Sequence, residues 1–264
     1  MARGPLLHGV SMAEQQKDKP AQKPDRKSRF LLILDSDPDN LAYLAKLLKR
    51  FEYHVFTAKS AREALDALTT AVPSLILTSL ALEDMDGLKF MQTIKRSAEL
   101  SAVPFIALTK QGDLVEETRS FLGGAVDCLS QPVSADQLYR SVQTIMEKTP
   151  RTNLRVRALL PVKMSSTTPG ASERMCALDL SERGVFVACE NPAPLNTRTN
   201  LLINLNGQLI PVEARILRIY QTGEGPFQEA GMGLEFVRIS SEDQERIRQY
   251  ILSDITRGIE LKTT

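Results

Sequence analysis

The chain has 264 residues, with 33 Lys and Arg against 32 Asp and Glu, so its formal net charge is +1. That balance excludes a global field for nucleic acid or an anionic membrane, and any anion binding has to come from local arginine clusters. The length suits two domains of ordinary size, and 42% hydrophobic with 25% charged residues is the make-up of a soluble globular protein.

No run of about 18 apolar residues occurs, so no membrane insertion is expected. The patch Pro5-Leu6-Leu7 is too brief for a signal-peptide core, which points to a cytoplasmic protein. Cys128, Cys176 and Cys189 lack CxxC spacing, which argues against zinc and against a disulfide framework, and fits a reducing cytosol. With only His8 and His54, a histidine metal site or catalytic triad is not expected; the reading is of a non-enzyme without metal or cofactor.

Residues 1–28 are rich in Lys, Gln, Pro and Asp with few large apolar side chains, and read as a disordered tail. Met12 is an alternative start. From Phe30 short apolar runs alternate with helical periods. Strands are predicted at 30–34, 54–58, 75–77, 103–108 and 126–129. Helices are predicted after Asp37 with Pro38 in its first turn, after Ser60 with Glu63, from about Asp86, after Asp113 with Glu116, and after Ser134 with Gln137, ending near Lys148. Five strands alternating with five helices imply an α/β domain, a doubly wound parallel sheet with helices on both faces.

After Pro150 the helical periods vanish. Asn206-Gly207 between Leu201–Leu205 and Gln208–Tyr220 is a strong hairpin signal. Gly223, Gly225 and Pro226 mark a further turn, Gly231–Val237 a strand, and 165–172 a small polar loop expected to be mobile. Ser241 with Gln244 is expected to cap a last helix carrying Ile247, Ile251 and Ile255. The second half therefore reads as all-β, an antiparallel barrel or sandwich closed by one helix. The expected domains are 29–148 and 149–258, followed by a tail at 259–264.

In an open parallel sheet, ligands gather at the carboxyl ends of the strands. Those ends present Asp35 and Ser36, then Ser79, Thr109 and Gln131. On the stretches LILDSDPDN, PSLILTSLALEDMDGLKF, VPFIALT and GGAVDCLSQPV, the first domain resembles a response-regulator receiver domain with a flavodoxin-like sheet. The resemblance implies an acidic pair after the first strand, a phosphoaccepting aspartate after the third and a lysine after the fifth. Here Asp35 is retained, Ser36 fills the second acidic position, Ser79 the phosphoacceptor position and Gln131 the lysine position. Cys128 stands where an aromatic switch residue is usual, and Thr109 remains. Phosphotransfer through Mg²⁺ needs the carboxylates and the cation that are missing. The expectation is a pseudo-receiver that docks a protein partner, with homodimerisation compatible with the same role.

The second domain resembles a PilZ domain. Arg151-Thr152-Asn153-Leu154-Arg155 matches the family's RxxxR element, and Asp179-Leu180-Ser181-Glu182-Arg183-Gly184 its DxSxxG element. The resemblance implies a six-stranded barrel with a terminal helix, and a cyclic di-GMP site formed by Arg151, Arg155, Asp179, Ser181 and Gly184. The residue chemistry agrees. Arg provides a permanent charge, a planar fork for phosphate or guanine O6 and N7, and a stacking surface. Asp179 can accept from guanine N1–H and N2–H₂, Ser181 adds a hydroxyl, and Gly184 permits close backbone approach or a positive-φ turn. Arg157 and Arg183 are neighbours that tune affinity. The leading expectation is a cyclic di-GMP-binding effector of signal transduction. The alternatives are a phosphorylation-controlled response regulator and a ligand-independent scaffold; DNA binding is not expected, since no helix-turn-helix or basic face is present.

Overall fold

The computed structural model describes residues 29–148, 150–151, 153–165, 174–224 and 227–259. The segment 1–28 expected to be disordered, the loop expected to be mobile beyond Ser165, and the tail beyond Ile259 lie outside the described residues.

The first half is a parallel sheet in the order β2-β1-β3-β4-β5. Its strands are β1 (Phe30–Leu34), β2 (His54–Ala58), β3 (Leu75–Ser79), β4 (Phe105–Lys110) and β5 (Asp127–Gln131). Its helices are α1 (Pro38–Arg50), α2 (Ala61–Leu68), α3 (Gly87–Arg96), α4 (Leu114–Leu122) and α5 (Ala135–Met146). The continuous apolar run of β1 follows from burial on both faces. Leu31 and Ile33 pack with Leu44 and Leu47 of α1 and Leu138 of α5, whereas Leu32 and Leu34 pack with Ala64 of α2 and Phe90 of α3.

The expected caps are made. Asp37 accepts from the Asp39 amide at 2.9 Å, Ser60 from Glu63 at 3.2 Å, Asp113 from Glu116 at 2.9 Å and Ser134 from Gln137 at 3.3 Å. A cap invisible to local spacing comes from Asp84, whose carboxylate accepts from the Ala61 and Arg62 amides, each at 2.9 Å. Those two amides hold the Asp84 carboxyl below its ordinary value. Strand limits shift toward the polar ends. β3, β4 and β5 run on through Ser79, Lys110 and Gln131, and β4 starts at Phe105 rather than Val103. Ladder hydrogen bonds belong to the backbone and continue past the last apolar side chain.

The second half is a closed barrel in the order β10-β11-β8-β7-β6-β9. Its strands are β6 (Arg155–Met164), β7 (Arg174–Ser181), β8 (Gly184–Ala188), β9 (Arg198–Leu205), β10 (Gln208–Tyr220) and β11 (Gly231–Arg238). Asn206 and Gly207 both have positive φ, 53° and 95°, and join β9 to β10 in the expected hairpin with Leu205 facing Gln208. Helix α6 (Ser241–Thr256) is capped by Ser240, which accepts from the Asp243 amide at 3.0 Å, one residue before the expected Ser241.

Helix α6 packs against β6 and β7 on one side and α1 and α5 on the other. Ile247, Ile251 and Ile255 are buried, and Ile259, assigned to the tail from sequence, joins the same core. Arg50 of α1 donates to the Asp254 carbonyl at 3.5 Å and the Arg257 carbonyl at 3.0 Å. It adds a donor at the carbonyl end of α6 and sets a positive charge at the negative end of its dipole. Replacing Ile251 by Ala should lower unfolding free energy by about 2–5 kcal/mol, measured by urea titration.

All three cysteines are half-buried and outside any disulfide. Burial pushes the Cys128 thiol up to about 11. The rise cuts the thiolate fraction near pH 8 about 100-fold, and greater nucleophilicity recovers roughly 10-fold of that. Cys128 should therefore react with iodoacetamide at pH 8 about ten times more slowly than an ordinary cysteine, followed by peptide mass mapping.

Candidate functional site

The sheet brings Asp35, Ser36, Ser79, Thr109 and Gln131 to one end, at the carboxyl termini of β1, β3, β4 and β5. Asp35, Ser79 and Thr109 are buried. The Asp35 carboxylate accepts from the Asp37 amide at 3.0 Å, from Asn40 Nδ2, and from Gln131 Nε2 at 3.0 Å. Burial pushes its carboxyl above the ordinary value, against the lowering effect of these donors. Ser36 turns away and donates to the Ala81 carbonyl at 3.1 Å. The pocket thus holds one carboxylate already engaged by three neutral donors. Among the described residues no group of three or more His, Cys, Asp or Glu is placed to hold a metal ion. Gly87 is required here: a Cβ would come 2.3 Å from the Ser79 carbonyl.

The barrel site is built by strand register. β6 pairs with β7 so that Arg155 faces Ser181 and Arg157 faces Asp179. β7 pairs with β8 so that Ser181 faces Gly184 and Asp179 faces Phe186. Directly opposed residues share a face of the sheet. Along β6 the alternation places Val156, Ala158 and Leu160 inside and leaves Arg155 and Arg157 exposed. Two adjacent outer rows result, one holding Arg155, Ser181 and Gly184, the other Arg157, Asp179 and Phe186. Register shifts beside Arg157 and between Ala177 and Asp179 interrupt the ladder next to the site, where bulges re-aim side chains.

Arg155 reaches diagonally to Asp179 in an ion pair of 3.2 Å, with side-chain exposures of 47% and 17%. A pair this exposed contributes about 0–1 kcal/mol, so opening it costs less than one charge-assisted bond to a bound anion, roughly 1.5–3 kcal/mol. Ser181 Oγ donates to the Gly184 carbonyl at 3.1 Å and closes the tight turn at 182–183. Gly184 has no positive φ; its constraint is close approach, since a Cβ would lie 2.5 Å from the Leu234 carbonyl of β11.

Arg151 is exposed just before β6, and its amide donates to Gln143 Oε1 of α5 at 3.3 Å. That bond opens a chain of polar contacts at the domain junction. Gln143 Nε2 donates to the Tyr53 hydroxyl at 2.9 Å, Tyr53 to Glu147 Oε1 at 3.3 Å, and Arg29 to Glu147 at 3.2 Å and to the Met146 carbonyl at 2.7 Å. Gln143 and Tyr53 are both buried, so the bond between them is shielded from water.

Sequence reasoning missed the aromatic group beside Asp179. Phe186 points outward from the barrel yet is buried, with ring centroids 4.8 Å from Phe227 and 5.8 Å from Tyr220. The Arg157 guanidinium lies 5.9 Å from the centre of the Phe227 ring. The signal available was weak: Phe186 sits between Val185 and Val187 in a uniformly apolar strand. A shallow cleft of about 450 Å³, lined among others by Asn200, Leu202, Glu213, Arg238 and Asp243, lies elsewhere on the barrel and includes none of the motif residues. The candidate site is the Arg155–Asp179 face, where both sequence motifs meet, in preference to that cleft.

Comparison with known proteins divides the chain in the same way. Residues 31–143 match the model of the response regulator receiver domain, and residues 148–253 that of the PilZ domain, the family of cyclic di-GMP receptors. A probable cyclic di-GMP phosphodiesterase of Vibrio cholerae is 31% identical over 117 residues, 44% of this chain and 26% of that protein. An uncharacterized 14.6 kDa protein of Leptolyngbya boryana is 30% identical over 113 residues, 43% of this chain and 86% of its own length. A putative response regulator from Chloroflexus aurantiacus of known structure is 28% identical with a TM-score of 0.44, covering 44% of this chain and 96% of that one. The chain spans about a quarter of the length of the Vibrio relative. No helix among the described residues is long and apolar enough to cross a membrane. With its parallel sheet in the first region and its closed barrel in the second, the chain belongs to the response regulator receiver family over residues 31–143 and to the PilZ family over residues 148–253.

Proposed function

We propose that this protein is a non-enzymatic cyclic di-GMP sensor whose receiver domain serves as a protein-docking platform without phosphotransfer. The observation that carries the reading is the meeting of Arg155, Arg157, Asp179 and Ser181 on two adjacent outer rows of the barrel, with Arg151 directly ahead of them. Cyclic di-GMP has two phosphodiester charges and two guanine faces. In the free protein Arg155 and Asp179 neutralise each other; the ligand offers each a better partner, phosphate or guanine O6 and N7 for the guanidinium, guanine N1–H and N2–H₂ for the carboxylate. Three or four charge-assisted bonds at about 1.5–3 kcal/mol each, less ordering costs, support binding of about −8 kcal/mol, on the order of micromolar.

Two features support the receiver's part. The pocket around Asp35 offers Gln131 as a neutral amide donor, and Ser79 offers a hydroxyl; neither serves aspartyl-phosphate chemistry. Helix α4 faces the sheet with buried Ser120 and turns Leu114, Val115, Phe121 and Leu122 to solvent, from 48% to 84% exposed. An apolar stripe turned outward is the mark of a surface that takes a protein partner. Arg151 joins the two halves: drawing it onto a ligand breaks its amide bond to Gln143 and loosens the contact between α5 and the barrel. A cytoplasmic setting suits the free thiols.

Isothermal titration of the protein with cyclic di-GMP should give a Kd on the order of micromolar, and Arg155→Ala should weaken it at least about 10-fold. Unchanged affinity in the variant defeats the site. Incubation with acetyl phosphate and Mg²⁺ should leave the intact mass unaltered; an adduct of one phosphoryl group would restore phosphorylation as the input.

A further inference from the structure

Arg157 and Phe186 flank Asp179 in the ladder, and Phe227 and Tyr220 pack on Phe186; all four lie outside both sequence motifs. We infer that the Phe227 ring, backed by Phe186 and Tyr220, is a stacking platform for one purine of the proposed ligand, and that the Arg157 guanidinium closes over that base. The inference rests on the cyclic di-GMP reading and adds to it the residues that hold the base once Asp179 has taken its edge.

Position is the first reason. Asp179 faces Arg157 on one side and Phe186 on the other. Neighbouring strands are about 4.8 Å apart, so a purine whose hydrogen-bonding edge meets Asp179 extends its rings across one strand, onto the Phe186–Phe227 surface. Accessibility is the second. Phe186 is 6% exposed and serves as the support, whereas Phe227 is only half-buried and has the Arg157 guanidinium 5.9 Å from its ring centre. The Phe186 ring itself rests on β11, where a Cβ at Gly231 would come within 2.9 Å of it.

The third reason is the guanidinium itself. Its carbon lies 5.9 Å from the Phe227 ring centre, within the range of a cation–π contact, on a side chain that is exposed. A base between two flat groups needs about 7–8 Å between them, so this long, exposed side chain has to swing outward by about 1–2 Å to admit it. An aromatic group that only packed against the barrel would need neither a guanidinium near its ring nor a carboxylate next to Phe186.

Stacking is tolerant of base identity, because every base has a π face. Platform and carboxylate therefore have separable effects. Titration calorimetry of the full chain with cyclic di-GMP and with cyclic di-AMP, on the unaltered protein and on Phe227→Ala, Phe227→Leu, Phe227→Tyr, Arg157→Ala, Arg155→Ala and Asp179→Ala, separates them. Phe227→Ala and Phe227→Leu should each weaken cyclic di-GMP about 10-fold, with melting temperature retained and the preference for cyclic di-GMP over cyclic di-AMP unchanged. Phe227→Tyr should stay within about 3-fold of the unaltered protein, and Arg157→Ala should follow Phe227→Ala. Asp179→Ala should lose the preference itself. Unaltered affinity in Phe227→Leu and Arg157→Ala, alongside a large loss in Arg155→Ala, overturns the platform and leaves the cyclic di-GMP reading standing. No binding by the unaltered protein sinks that reading and the platform with it.

Discussion

The pairing of β6 with β7 is the constraint on which the barrel site depends. Because side chains alternate across a strand, a slip of one residue would send Arg155 and Arg157 into the barrel and bring Val156 and Ala158 out. The apolar residues of β6 are buried in a core shared with β7 and α6, so that slip is prohibited by the core. The register that buries Val156 and Leu180 opposite each other is thus the one that aligns Arg157 with Asp179 and Arg155 with Ser181. Gly184 belongs to the same constraint. It lets β8 approach β11 closely enough to close the barrel, which keeps Phe186 beside Asp179.

The junction is governed by a different balance. Its apolar part is the continuous core through α1, α5, α6 and the barrel. Its polar part is the chain from Arg151 through Gln143 and Tyr53 to Glu147 and Arg29, together with the guanidinium of Arg50 on the last carbonyls of α6. Hydrogen bonds shielded from water lose much when one partner leaves, since the other is stranded. A ligand acting on Arg151 touches the one backbone link in that chain that belongs to the connecting segment.

The end of the receiver sheet gathers one buried carboxylate among neutral donors. Asp35 keeps its place after β1, but an amide reaches it from Gln131, and hydroxyls stand at Ser36, Ser79 and Thr109. The carboxylate accepts from the Asn40 and Gln131 amides and the Asp37 backbone, while the Ser36 hydroxyl donates to the Ala81 carbonyl. The scaffold needs only buried strands and capped helices, and these are unaffected by what stands at the strand ends. The apolar stripe of α4 is the reverse case: Leu114, Val115 and Leu122 have a helical spacing that reads as a core face, yet α4 turns Ser120 inward.

Much of the molecule was legible locally. Asp37-Pro38, Ser60 with Glu63 and Asp113 with Glu116 mark helix starts because capping geometry is fixed within four residues, and Asn206-Gly207 marks the hairpin because both positions need positive φ. The all-apolar strand of 30–34 announced a sheet buried on both faces, and the pair of arginine and DxSxxG elements named the face where charge gathers. The cap of α2 by Asp84, the Arg50 contacts to α6 and the Phe186–Tyr220–Phe227 group were not legible, because each joins residues far apart in the chain. Sequence alone determined the elements, their class and the charged candidates for the site, since these follow from short-range periodicity and side-chain chemistry. Only the tertiary structure decided that Arg157 stands opposite Asp179, that Arg155 is paired in the free protein and that an aromatic surface adjoins both, because register and barrel closure are set by the whole core at once.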